Sequence, residues 1–290
     1  MVVNVITRHA PTNYGSLLQA IATQRVIMNL GYECRIINYI PKCETGVRMA
    51  ITQLEQKTKW RRNPIKKAIY LMVAEPETLL MDRKFLAMRK KYLLMGPRCA
   101  TTGELKKLYA EKKDEVFLTG SDQVWGPIST GHYDPTYFLD FAPKSSRKLA
   151  FAASFGKAIF DEQTLKEYGV LLKKYDSLAV RENVAVELLK KMDISAKQVL
   201  DPTLLMDADA WSEYVKPMKK PEKYVLVYQI HANSDLDHYA VKFAEKAELP
   251  LLRVSPLLHQ AKRSGKFVYC PDISGFLDLV KNAAYMVTDS

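Results

Sequence analysis

What most restricts the fold of this chain is an alternation of two hydrophobic rhythms. Short runs of Val, Ile, Leu and Phe are each followed by a polar loop and then by a stretch whose apolar residues recur at helical spacing. "VVNVI" (Val2–Ile6) is the first run. "SLLQAIATQRVIMNLG" follows with the helical period, Ser16 placed to cap it and Gly31 placed to end it. After the strand candidate "CRIINYI", a mostly helical region is expected over about 63–91, where Pro64 and Pro76 suit first-turn positions. The strand rhythm returns in "EVFLTG", "KLAFAAS", "SLAVRE" and "QVLDP", and again in "YVLVYQI", "LPLLRV" and "AYMVTDS". Helices are expected around residues 161–174, 182–192, 235–247 and 273–282. A strand that is apolar on both faces must be covered on both. The pattern therefore predicts an α/β fold of open, mostly parallel sheets between layers of helix.

The stretch "KPMKKPEK" (residues 216–223) separates a helical pattern from a fresh strand and has linker composition. It predicts one domain over residues 1–217, with the helical insertion at 63–91, and the start of a second over 221–290. Three strands are expected after the linker, few for a self-standing doubly wound domain. The second domain is therefore expected to be incomplete at its C-terminus.

Composition removes several classes. With 48% hydrophobic and 26% charged residues the chain is not expected to be disordered. The first residues lack the tripartite pattern of a signal peptide, and no apolar run approaches the roughly 18 residues of a membrane span. Cys34, Cys43, Cys99 and Cys270 form no C-x-x-C pair, and the five histidines, His9, His132, His231, His238 and His259, have no metal-ligand spacing. A cytoplasmic protein without a metal is expected. The net charge of +11 attracts anions such as phosphorylated metabolites, acidic glycans or an anionic membrane face. No nucleic-acid motif accompanies it. "KTKWRRNPIKKAIYLMV" (residues 57–73) concentrates part of this charge; it reads either as a peripheral contact with the inner face of the membrane or as a solvated basic helix.

Polar clusters recur where strands end: "TNYGS", "TGSDQVW", "ASFG", "VRE", "LDPT" and "VTDS". In open parallel sheets, ligands bind beyond the carboxyl ends of the strands, which makes these clusters the candidate site. Asn13, Tyr14, Gly15 and Ser16 lead into a helix whose first N–H groups suit an anion, although an ordinary helix cap would use the same residues. Gly120 permits a tight turn. Ser121 and Ser154 offer hydroxyls, and Gln123 can bond bidentately. Asp122 is a candidate general base or sugar-hydroxyl acceptor, and otherwise caps a turn. Trp125 either stacks on a pyranose ring or anchors its loop in the core. Arg181 offers a planar fork for carboxylate or phosphate, unless it is taken up by Glu182 or an aspartate. Asp201 reads as a turn and helix-start residue.

Taken together, these segments resemble the polysaccharide pyruvyl transferase family. "NYGSLLQAIATQRVIMNLGY", "LTGSDQVW", "YFLDF", "FAASFG", "AVRE", "VLDPTLLM" and "NAAYMVTDS" occur in the family's order over nearly the whole chain, and Gly-Ser-Asp-Gln-Val-Trp is the most specific of them. Thr12 stands where the family often has Gly, and Gly126 where Asn is common. The family's last motif runs on from Asp-Ser into Phe-His-Gly, and its His is an expected acid or phosphate contact. The sequence stops at Ser290, so weak or no activity is expected of this form. The resemblance implies two Rossmann-like domains similar to a GT-B arrangement, the second incomplete. It also implies transfer of a pyruvyl group from phosphoenolpyruvate to a glycan or glycan-lipid acceptor as a ketal, with phosphate released and no cofactor. Asp122 and Arg181 would be the catalytic pair. Asn13, Tyr14, Gly15, Ser16, Gly120, Ser121, Gln123, Trp125, Ser154, Glu182, Asp289 and Ser290 would bind substrate. Two other classes fit the same pattern: a glycosyltransferase using a nucleotide-sugar, and a non-catalytic carbohydrate-binding relative.

Overall fold

The computed structural model of the chain describes residues 1–44, 64–157 and 159–290. The basic stretch at 57–73, including Trp60, lies in large part outside the described residues. By its internal contacts the chain divides into two units. One comprises Met1–Glu75 with Arg89–Met206, the other Pro76–Met88 with Asp207–Ser290.

The first unit is built on a parallel sheet of order β2-β1-β3-β4-β5-β6. Its strands are β1 (Val2–Ile6), β2 (Glu33–Ile36), β3 (Val116–Thr119), β4 (Lys148–Ala153), β5 (Ser177–Val180) and β6 (Lys197–Gln198). The apolar runs end up where their composition requires: β3 is buried at every position and β1 at all but its first. Helices α1 (Tyr14–Asn29), α2 (Pro64–Tyr92), α3 (Thr102–Tyr109), α4 (Glu162–Leu172) and α5 (Asn183–Lys190) occur between the strands. The order reverses at β1, whose neighbours are β2 on one side and β3 on the other. The crevice above the carboxyl ends of β1 and β3 is thus the topological switch point.

Two local expectations are corrected here. The cap of α1 is Asn13, whose side chain accepts from the Gly15 N–H at 2.7 Å; Ser16 lies inside the helix. Gly31 does follow the helix end, with φ of +84° and no atom within 4 Å of an added Cβ. Pro76 lies inside α2 rather than in a first turn.

The second unit carries a parallel sheet of order β10-β7-β8-β9, from β7 (Val225–Tyr228), β8 (Leu251–Ser255), β9 (Lys266–Tyr269) and β10 (Tyr285–Thr288). Helices α6 (Ala208–Ser212), α7 (Ser234–Lys246) and α8 (Ile273–Lys281) accompany it. Four strands stand where three were expected; β9 is the addition.

The division falls at Met206/Asp207 rather than at 217–221. The Pro- and Lys-rich stretch is not a solvated tether. Met218 N–H and Lys220 Nζ both donate to the buried carboxylate of Asp278 on α8, and Lys281 Nζ reaches Ser212 Oγ at 2.8 Å. Gly275 makes room for this packing: a Cβ there would lie 3.0 Å from Met218 Sδ. The expected helical insertion is likewise shared between units. Glu77 accepts from Leu258 N–H at 2.6 Å and Lys84 donates to Cys270 O at 3.4 Å, which ties Pro76–Met88 to the second unit. No described helix is long and apolar enough to cross a membrane.

Candidate active site

Two non-glycine residues at the carboxyl end of the first sheet have left-handed backbone: Asp122 at φ +77° and Ala152 at φ +54°. Such conformations cost about 1–3 kcal/mol each and persist where the surroundings enforce them. Here the enforcement is visible. The strand register shifts between Ala150 and Ala153, and Asp122 makes a parallel bridge to Ala153. The Asp122 carbonyl accepts from both Val124 N–H, at 2.8 Å, and Ser154 N–H, at 3.1 Å. The bulge bends β4 and turns the chain after β3 toward the crevice.

This turn aims the Asp122 carboxylate at α1. Oδ2 accepts the Ser16 hydroxyl at 2.7 Å, and Oδ1 accepts the Gln123 N–H at 2.7 Å. One residue earlier, Ser121 Oγ donates to Asp201 Oδ2 at 2.8 Å, and the same oxygen accepts from Arg181 Nη1 at 3.2 Å. Asp201 Oδ1 accepts from the N–H of Thr203, at 3.0 Å, and from its hydroxyl, at 2.7 Å. Burial pushes the Asp201 carboxyl upward, but the Thr203, Ser121 and Arg181 hydrogen bonds outweigh it and hold it below the usual carboxylate value of 3.8. Arg181 Nε donates to Glu182 Oε1 at 2.8 Å. Burial opposes the Arg181 charge; Glu182 first and then Asp201 overcome it and raise the guanidinium pKa. Among the described residues, Nη2 of Arg181 has no hydrogen bond.

Beside this network is a cavity of about 250 Å³. Gln123, Lys157, Arg181 and Glu182 form its polar part; Phe155, Val184 and Leu188 form an apolar wall. Glu182 is the cap residue of α5 but makes no side-chain cap hydrogen bond, because its carboxylate is spent on Arg181.

The predicted residues of the first unit therefore lie near one another at its carboxyl edge, and they differ in exposure. Asn13, Gly15, Ser16, Asp122, Gln123, Arg181 and Glu182 keep exposed surface. Tyr14, Ser121, Trp125 and Ser154 are fully buried, with no exposed surface in this structure. Trp125 stacks on Phe138 with ring centroids 5.7 Å apart and packs against Phe155, so its ring anchors the loop in the core. Gly120 is a packing glycine: an added Cβ would lie 3.1 Å from Val5 Cγ1. Ser154 Oγ accepts from Gly156 N–H at 3.0 Å. At Gly126 a Cβ would come within 2.6 Å of Phe155 O, so this turn is shaped around glycine. In the second unit, Asp289 gives both oxygens to backbone, accepting from Ile230 N–H at 2.7 Å and His231 N–H at 2.9 Å, while Ser290 N–H donates to Thr288 Oγ1. These bonds outweigh burial and hold the Asp289 carboxyl below its usual range.

The sequence reading omitted Lys157 and Arg8. Lys157 directly follows "ASFG", the one local signal for it, and its ammonium lies over the Phe160 ring at 5.0 Å from the centroid. Arg8, two residues past β1, pairs with the nearly buried Glu44 at 2.6 Å. Burial raises the Glu44 carboxyl above its ordinary value against the pull of Arg8. His9 is buried, with Nε2 3.2 Å from Ile37 O. Burial, and then the charge of Arg89, bring its pKa down to about 4. No cluster of three or more His, Cys, Asp or Glu among the described residues is placed to hold a metal.

Comparison with known proteins places this architecture. A protein from Listeria monocytogenes assigned as a UDP-N-acetylglucosamine 2-epimerase matches with a TM-score of 0.51 and 10% identity, over 100% of this chain and 74% of that one. An alpha-glucosyltransferase in complex with UDP and a 13-mer DNA matches with a TM-score of 0.51 and 9% identity, over 98% of this chain and 70% of that one. No curated protein matches the sequence. The fold class is accordingly α/β, with two Rossmann-like units of the kind found in GT-B glycosyltransferases and epimerases. The model of the polysaccharide pyruvyl transferase family matches residues 13–290, and the chain belongs to that family.

Proposed function

We propose that the chain transfers the pyruvyl group of phosphoenolpyruvate to two hydroxyls of a sugar in a polysaccharide or its precursor. The observation that carries this reading is the cavity at the carboxyl edge of the first sheet, where Arg181 is anchored through Nε and Nη1 and keeps Nη2 uncommitted. A guanidinium held this way offers a planar donor to a carboxylate or phosphate with little left to order. Lys157 adds a second cation, and the apolar wall suits the methylene end of the donor.

In the reaction, one sugar oxygen adds to C2 of the donor as C3 takes up a proton. The second sugar oxygen then displaces phosphate from C2. Of the two hydroxyl protons, one ends on C3, which becomes the methyl group, and the other leaves with phosphate. Asp122 is the proposed base, since its carboxylate is partly exposed and already accepts a hydroxyl, that of Ser16. The reading carries a cytoplasmic location with it. The net charge of +11 is compatible with an acceptor held at an anionic membrane face.

Calorimetry tests it: titration of the folded protein with phosphoenolpyruvate, and separately with a nucleotide-sugar. Saturable binding of phosphoenolpyruvate that is weakened, yet still measurable, in Arg181→Ala is the expected result. Nucleotide-sugar binding with none of phosphoenolpyruvate would replace this reading by that of a glycosyltransferase.

A further inference from the structure

Asp201 stands three residues past β6 as the first residue of a turn, and turn formation alone would explain one of its oxygens. Oδ1 does that work, accepting from the N–H and hydroxyl of Thr203. Oδ2 does something else. It accepts from Ser121, just after β3, and from Arg181, just after β5. A single carboxylate thus joins three strand-end loops, and Arg181 is the one member of the group that lines the cavity. The side chain of Asp201 is 19% exposed and that of Arg181 29%, so this pair is screened less than a surface ion pair.

We infer that Asp201 is a positioning residue for Arg181: it fixes the guanidinium so that Nη2 is presented to the anionic donor. The inference rests on the donor site proposed above. Without Asp201, Arg181 would be held by Glu182 alone, an adjacent residue whose side chain is 41% exposed. The donor would then have to immobilise the arginine on binding. Ordering one such side chain costs about 0.5–1.5 kcal/mol, which is a two- to tenfold loss of affinity. A purely electrostatic role predicts the opposite sign, because removing a negative charge beside an anion tightens its binding.

The variants are Asp201→Asn and Asp201→Ser. Both residues can still accept the Thr203 N–H as a cap, and neither carries the carboxylate that holds Arg181. The experiment titrates phosphoenolpyruvate into the full chain in two backgrounds, native and Arg181→Ala, with folding checked by circular dichroism. The expected result is binding two- to tenfold weaker in the native background and unchanged in the Arg181→Ala background, with the KM for phosphoenolpyruvate raised and kcat little altered. Equal weakening in both backgrounds would mean a general structural role and overturn the inference, as would unchanged or tighter binding in the native background. If Arg181→Ala itself leaves phosphoenolpyruvate binding intact, the donor site falls, and this inference with it.

Discussion

Each unit places an arginine among carboxylate oxygens, and the two arginines end differently. Arg253, in the middle of β8, has a side chain with no exposed surface. Its Nε donates to Ser264 O, its Nη1 to Gln229 Oε1 and its Nη2 to Asp237 Oδ1, so every nitrogen is engaged. Arg263 also reaches Gln229 and Asp237, closing the group. Arg181 sits past the end of its strand, is partly exposed, and among the described residues keeps one nitrogen without a hydrogen bond beside a cavity. A charge in mid-strand must be satisfied internally, because burial without partners costs several kcal/mol. At a strand's carboxyl end, partial satisfaction is tolerable, and the remainder is available to a ligand. Position along the strand, more than residue type, separates the structural arginine from the one proposed to meet the donor.

The largest effect that could break this contrast is on stability. Arg253→Ala should destabilise the second unit by about 3 kcal/mol, the lower end for breaking a buried pair, since Arg263 still holds Asp237. Urea unfolding followed by hydrogen exchange of β7 and β8 measures it. A change below about 1 kcal/mol would put Arg253 in the same class as surface pairs.

The units should also part under acid. His9 belongs to the first unit, and its lowered pKa means that the unfolded chain takes up the proton first. Its neutral form stabilises the fold fully above about pH 6.5, and that contribution is lost as pH falls toward about 4, reaching about 3 kcal/mol. The second unit's His231, His238 and His259 are exposed. Amide protection in β1 and β3 should therefore decline between pH 6.5 and 4 while that in β7 and β8 holds. Parallel loss in both units would remove His9 as the cause.

The fold was legible because strands covered on both faces are written as mostly apolar runs: β7 is one, β3 ends only in Thr119, and β1 is broken only by Asn4. β9 was not: "KFVY" is short, partly exposed, and preceded by the polar "AKRSG". Within the first unit the candidate site was legible as a set of strand ends, since parallel topology brings those ends together whatever their residues. Its division into contacts and supports was not. Nothing in "GSDQVW" distinguishes an outward aspartate from an inward tryptophan, because a pyranose and a phenylalanine ring attract indole in similar ways. An Arg181–aspartate pair was among the alternatives, but that Asp201 supplies it, 20 residues away, depends on how β5 and β6 align. The stretch at 216–223 misled because Lys and Pro read as solvated, whereas Lys220 answers a buried Asp278.

On the functional side of the contrast, Arg181→Ala should weaken phosphoenolpyruvate binding by about 1.5–3 kcal/mol, the range for hydrogen bonds to a charged group. Its cost to stability should stay within about 1 kcal/mol, as its partners are partly solvated. Arg181→Lys should recover only part of the affinity, since an ammonium lacks the planar fork. Calorimetry and a denaturant melt on the same preparations separate the two effects. Reversed magnitudes would make Arg181 a structural residue like Arg253.

The smallest effect concerns Lys157, which shares the cavity with Arg181 but has no anchoring carboxylate among the described residues. Its contact is the face of Phe160, and a cation over an exposed ring contributes only about 0.5–1 kcal/mol. An exposed, flexible ammonium must be ordered by the donor and is screened by salt, whose Debye length is about 8 Å at physiological ionic strength. Lys157→Ala should therefore weaken phosphoenolpyruvate binding by less than about 1 kcal/mol at low salt, and the difference from the native protein should fade at about 1 M salt, where screening acts within about 3 Å. The loss in Arg181→Ala should persist there, because a partly buried, pre-anchored donor acts through directed hydrogen bonds. Titrations at two salt concentrations on the three proteins decide it. If Lys157→Ala costs as much as Arg181→Ala and resists salt equally, anchoring by Glu182 and Asp201 is not what distinguishes the arginine, and the cavity works through summed charge instead.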